Sequence, residues 1–152
     1  MVLTPDGPDL SLVNQDLELD LGLSTPSLVT LFSDARREVS DPDLPDSSDD
    51  PRGFWPDALT DRFGSKLWLY RRRKITEQTL SEIKTQVEDS FLWMRREGIA
   101  QTINVSVERL SIEAVAITVE LVRGTAAQWP QLWEGVGDTF TIGPIADRFL
   151  ND

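Results

Sequence analysis

The chain contains no cysteine and no histidine. The first absence excludes disulfides and thiolate nucleophiles. Both together exclude zinc sites of the usual ligand sets, and the second removes imidazole acid–base chemistry. Any reaction carried out by these 152 residues would fall to carboxylates, hydroxyls, Lys, Arg or Tyr. Positive charge is also scarce. Fifteen Lys and Arg face 26 Asp and Glu, for a net charge of −11. That balance argues against a general nucleic-acid binder, because such binding is governed by phosphate neutralisation. No apolar run nears the about 18 residues that span a bilayer. The start, "MVLTPDGPDL", lacks the cationic beginning and apolar core of a secretory leader. The expectation is a protein made and folded in a cytosol, binding neither membrane nor nucleic acid.

What remains is ordinary for a single globular domain: 39% hydrophobic and 27% charged residues. A chain of this length buries roughly 70% of the surface it exposes when unfolded, enough for one core. Residues 9 to 21, "DLSLVNQDLELDL", alternate apolar and polar and predict a short hairpin or two edge strands. In "STPSLVTLFSDARREV", Thr25 and Pro26 mark a helix start, and Leu28, Leu31, Phe32 and Ala35 form a stripe; the prediction is a helix over 26 to 38. Residues 40 to 52, "SDPDLPDSSDDPR", carry three prolines and five aspartates and predict a loop. The loop does not match a calcium site. Pro45 and Asp46 break the alternation of ligands, and Arg52 stands where a closing Glu belongs.

Leu80, Ile83, Val87, Phe91 and Met94 recur at steps of three and four, which predicts a long helix over about 76 to 97. Thr76 can cap it, Glu77 suits its first turn, Arg95 and Arg96 its last, and Gly98 ends it. Two period-two stretches follow. Ile103, Val105 and Val107, then Val115, Ile117, Val119 and Leu121, predict an antiparallel hairpin closed by "RLS". The order of elements is α+β, with a long helix packed on a small, mostly antiparallel sheet and with extended N- and C-terminal segments. The tail from residue 123 to 152 has Trp129, Trp133 and Phe140 among Gly and Pro. It reads as an arm packed on the body or on a neighbour, with "DTFTI" as a last short strand.

Catalytic signals are weak. Glu82 and Asp89 are seven apart on the expected helix and share a face, but a solvated helix face accounts for them. No Gly-rich phosphate loop follows a strand and no nucleophile elbow is present. We assign no catalytic residue, no cofactor and no metal.

The sharpest feature is "GSKLWLYRRRK". Leu67, Trp68, Leu69 and Tyr70 run into Arg71, Arg72, Arg73 and Lys74, so over a quarter of all positive charge occupies four consecutive positions. Seven acidic residues from Asp34 to Asp50 could pair with this run internally. Three adjacent arginines cannot all face one way, however, and arginine favours interfaces through its planar fork. Trp93 is assigned to the core, Trp55 and Trp68 stand between core and interface, and Trp129 and Trp133 dock onto something.

Five segments in order carry a resemblance: "LVTLFSDARRE", the acidic Pro-containing loop and "RGFWPDAL", "GSKLWLYRRRK", a helix ending "FLWMRREGIA", and the two alternating strands. The chain resembles the Mu-like phage baseplate proteins, themselves similar to the lysozyme-like sheath initiators and wedge components of contractile tails. The likeness covers about residues 9 to 122, so we divide the chain into a lysozyme-like baseplate domain over 1–122 and an extended arm over 123–152. The resemblance implies a structural subunit of the virion tail baseplate, assembled in the host bacterial cytoplasm. It also implies six copies in a ring, contacts to other baseplate wedge proteins and to the tail sheath protein, and no enzymatic role. The partner-binding candidates are Phe54, Trp55, Leu67, Trp68, Tyr70, Arg71, Arg72, Arg73, Trp129, Trp133 and Phe140. Two other readings stay open, a tail-associated peptidoglycan hydrolase and an acidic cytosolic adaptor.

Overall fold

The computed structural model describes residues 2–4, 7–9, 12–13, 16–17, 22–45, 49–54, 63–124, 130–133 and 136–148. Near the N-terminus are two small antiparallel ladders, β1 (Val2–Thr4) with β2 (Gly7–Asp9) and β3 (Leu12–Val13) with β4 (Asp16–Leu17). The second is the hairpin expected within residues 9 to 21.

Helix α1 spans Ser24–Phe32 rather than 26 to 38. Its end is set by a contact invisible to local sequence. Ser33 turns extended, and Asp34 forms a parallel bridge with Ser65. The Ser65 amide donates to the Ser33 carbonyl (2.8 Å), and the Ala35 amide donates to the Ser65 carbonyl (2.9 Å). Hydrogen-bonding groups that would have continued the helix are thus taken by a segment 30 residues downstream. Gly64 makes the approach possible: at φ +105° a Cβ there would lie 2.4 Å from the Ser33 carbonyl oxygen.

The long helix is two helices. α2 (Glu77–Ser90) begins at Thr76, whose hydroxyl accepts the Thr79 amide as the sequence predicts, and α3 (Leu92–Arg96) follows a break at Phe91. Gly98, at φ +70°, ends the pair. Phe91 and Met94 are both fully buried, while Leu92 is turned outward. Ile83, Val87, Phe91 and Met94 seat this layer on the sheet.

The sheet is antiparallel, in the order β5 (Ala100–Arg109), β6 (Ala114–Arg123), β7 (Thr139–Arg148). Its inner face is built from three cross-strand rows, Ile103–Leu121–Phe140, Val105–Val119–Ile142 and Val107–Ile117–Ile145. Cross-strand apolar pairs of this kind are the unit of sheet stabilisation. The result is an α+β domain with a helix layer on a three-stranded antiparallel sheet. The third strand comes from the segment expected as an extended arm. "DTFTI" is indeed a strand, but it runs on to Arg148 and pairs with β6 of the same chain. Trp133, in a 3-10 turn over Pro130–Trp133, is buried, and its indole N–H donates to the Ile99 carbonyl at 2.8 Å. That anchor could not be seen from the Gly- and Pro-rich local sequence.

Candidate assembly surface

The run "LWLYRRRK" divides cleanly in space. Leu67–Tyr70 forms one turn of 3-10 helix in which all four side chains are buried. Ser65 anchors the approach to this turn through its hydroxyl, which donates to the Leu31 carbonyl. The Trp68 indole, 3% exposed, donates to the Ala35 carbonyl at 2.9 Å. Leu67, Trp68 and Tyr70 therefore belong to the core and not to an outward apolar wedge. They join the core cluster and pack against α2.

The chain then turns out of the body at Arg71, and Arg71, Arg72, Arg73 and Lys74 are all exposed. Arg73 folds back. Its guanidinium donates to Glu82 at 2.6 Å and lies 5.5 Å from the centre of the Tyr70 ring. The Tyr70 phenol is pushed above its ordinary range, chiefly by burial and further by the Glu82 and Asp41 carboxylates, against a lowering by Arg73. Glu82, also held by Gln78 at 2.9 Å, is thus committed to local pairing. Arg71, Arg72 and Lys74 make no ion pair among the described residues.

The acidic loop does not depend on them. Lys66 meets Asp41 at 2.7 Å, and Arg37 donates to the Pro42 carbonyl at 2.7 Å and lies 3.6 Å from Asp43. Arg52 donates to Asp34 at 2.6 Å while its guanidinium rests 4.5 Å from the centre of the Trp68 ring. Among the described residues, pairing around the acidic loop and the run thus uses Arg37, Arg52, Lys66 and Arg73, and leaves Arg71, Arg72 and Lys74 as an outward group of three cations on an acidic domain.

The remaining candidates scatter. Phe54 is half-buried and packs on Phe63 (5.2 Å between ring centres), which packs on Trp93 (5.8 Å). Trp93 is itself half-buried, with its indole donating to the Thr30 hydroxyl at 3.1 Å. Phe140 sits on the inner sheet face opposite Leu121, and Trp133 is core. Trp55 and Trp129 lie outside the described residues. Six large apolar side chains outside the partner-binding candidates are exposed among the described residues: Val29, Phe32, Val39, Leu92, Leu110 and Ile112. Phe32 had been placed on the buried stripe of α1, yet it is 53% exposed, because the helix ends there and the chain turns away. Among the described residues no group of three or more acidic side chains is arranged to hold a metal ion, and no helix is long and apolar enough to cross a membrane.

These features define a small α+β module with a sealed core and a cationic outward cluster. The family model described as "Phage protein GP46" matches residues 23–128, from Leu23 at the start of α1 past the end of β6, and the chain belongs to that family. It is 41% identical over 96 residues to "Baseplate protein gp46" of Escherichia phage Mu, a match covering 62% of this chain and 66% of that protein. It is 30% identical over 124 residues to "Mu-like prophage FluMu protein gp46" of Haemophilus influenzae, covering 79% and 84%. The chain thus spans just under two thirds of the phage Mu protein.

Proposed function

We propose that this chain is a structural subunit of the tail baseplate of a Mu-like phage or a related tail-like particle. It joins larger wedge proteins and offers the surface on which the first ring of tail sheath assembles. It works by being held and converts no substrate. It resides in the virion tail baseplate after assembly in the host cytoplasm, in about six copies around the tail tube, the number implied by resemblance to contractile-tail baseplates. The observation that carries this reading is membership of a family whose phage Mu relative is named a baseplate protein. Two features of the molecule support it. Arg71, Arg72 and Lys74 are held outward by the buried turn before them, suited to carboxylates on a wedge protein; such contacts set partner choice and register more than affinity. The outer edge of β5 is unpaired among the described residues and carries exposed polar side chains at Gln101, Thr102 and Asn104. β7, at the other edge, has Pro144, which has no N–H to offer. A sheath strand would therefore add to β5.

The test is incorporation. The variant Arg71→Ser/Arg72→Ser/Lys74→Ser, produced with the other tail proteins in place of the native chain, should stay soluble and folded yet be missing from purified tails. Normal tails containing the variant would overturn the contact reading.

A further inference from the structure

The tip of the β5–β6 hairpin presents two large aliphatic side chains to solvent. Leu110 is 56% and Ile112 75% exposed. The tip is not slack. The Leu110 and Ser111 amides donate to the Ala114 carbonyl (3.0 and 3.2 Å), the Arg109 Nε donates to the Ser111 carbonyl (3.0 Å), and the Ser111 hydroxyl accepts the Glu113 amide (3.1 Å). Two exposed aliphatic side chains on a braced turn, flanked by Arg109 on one side and Glu113 on the other, have the form of a preorganised anchor.

The same chain carries a matching receptor. Where α2 gives way to α3 beside the start of β5, a hollow of about 370 Å³ is lined by Glu88, Asp89, Leu92, Arg95 and Ile103, among others. Leu92, 43% exposed because the helix breaks at Phe91, supplies an apolar wall. Glu88 and Asp89 lie in the last turn of α2, where carboxylates are disfavoured by the helix dipole, and no basic residue in that turn offsets them. Asp89 has no ion pair among the described residues, and Glu88 has only a long one of 3.8 Å to Lys84. The anchor therefore has a cation and an anion flanking its apolar pair, and the hollow has two anions and a cation flanking its apolar wall.

We propose that the hairpin tip of one copy of this chain seats in the α2–α3–β5 hollow of the next. Leu110 and Ile112 would lie against Leu92 and Ile103, with Arg109 toward Glu88 and Asp89 and Glu113 toward Arg95. Anchor and hollow sit at opposite ends of β5, roughly 20 Å apart at about 3.3 Å per residue, so one molecule cannot satisfy both itself. The contact is head-to-tail, joining unlike surfaces, and repeats into a ring or an open filament rather than a two-fold dimer. This inference goes beyond the baseplate assignment and is tested on the isolated chain, so the two can fail separately.

The absence of cysteine makes the test clean. An Ile112→Cys variant and a Leu92→Cys variant, both at exposed positions, are mixed at high concentration, mildly oxidised and mapped by peptide mass. The expected product is the 92–112 linkage, in clear excess over 112–112, 92–92 and the product of a Thr85→Cys control. A chain carrying both cysteines should give a ladder of multimers. In sedimentation, Arg109→Glu should weaken self-association of the native chain by about tenfold, and adding Glu88→Arg should restore it. A chain that is monomeric at the highest attainable concentration, a dominant 112–112 product, or no response to the charge reversals would each overturn the proposal.

Discussion

The division of "LWLYRRRK" into a buried half and an exposed half can be tested by comparing substitutions three and four residues apart. Trp68 is 3% exposed, and its indole N–H donates to the buried side of the Ala35 backbone at 2.9 Å. Replacing a buried Trp by Ala removes packing worth ~3–5 kcal/mol, and losing the hydrogen bond adds about 1, for a total of ~4–6 kcal/mol. Domains have only about 5–15 kcal/mol of stability in all, so Trp68→Ala should be largely unfolded or close to it. Trp68→Phe keeps most of the apolar volume and loses the N–H, which should cost about 1–2 kcal/mol, or a melting shift of about 2–8 °C for a domain of this size. Arg71→Ser/Arg72→Ser touches no described partner and should stay within about 0.5 kcal/mol of the native chain. Urea unfolding of all four proteins, followed by far-ultraviolet circular dichroism, gives the comparison directly. A Trp68→Ala protein within about 1 kcal/mol of native would refute the buried assignment. An arginine variant as destabilised as Trp68→Phe would show instead that the cations hold the fold.

Three further outcomes are expected. Tyr70 is the chain's one tyrosine, so phenolate absorbance reports it alone. Its midpoint should lie above the ordinary value of about 10 in the folded protein and return to it in denaturant. Because the folded pKa is raised, the stabilisation is present below the unfolded pKa and is lost as pH rises through the folded one. Glu82→Gln should lower the folded midpoint, since that carboxylate raises it; an unchanged or higher midpoint would contradict the arrangement. Gly64→Ala must place a Cβ at φ +105° 2.4 Å from the Ser33 oxygen, and a loss of at least about 2 kcal/mol in urea titrations is expected, whereas a neutral result would mean that the α1 crossing is looser than described. Ending the chain at residue 123 removes β7 and Trp133 and uncovers the β6 edge, so the truncated protein should aggregate or lose cooperative unfolding; a native-like melt would show that the sheet needs only two strands.

The sequence alone established whatever depends on near neighbours. Period-two alternation over 103 to 107 and 115 to 121 named the hairpin and its inner face, because successive strand side chains point to opposite sides. Thr76 and Gly98 marked the limits of the helical segment, because capping is local. The lack of Cys and His bounded the chemistry, and the order of five short segments pointed to the phage family. Tertiary structure decided whatever depends on a distant partner. Residue 65 stops α1 by taking backbone groups at 33 and 35. The helix break at Phe91 buries two large side chains and turns a third outward. Strand β7 is a strand because β6 lies beside it. The same holds for the arginine run: Leu67 to Tyr70 and Arg71 to Lys74 are adjacent in the chain, but the first four are buried in the core cluster beside α2 and the next four are exposed, a division set by tertiary packing. Burial is a property of the assembled surfaces, so an apolar residue at a helix end or hairpin tip, such as Phe32 or Ile112, looks the same in sequence as one at the centre of the core.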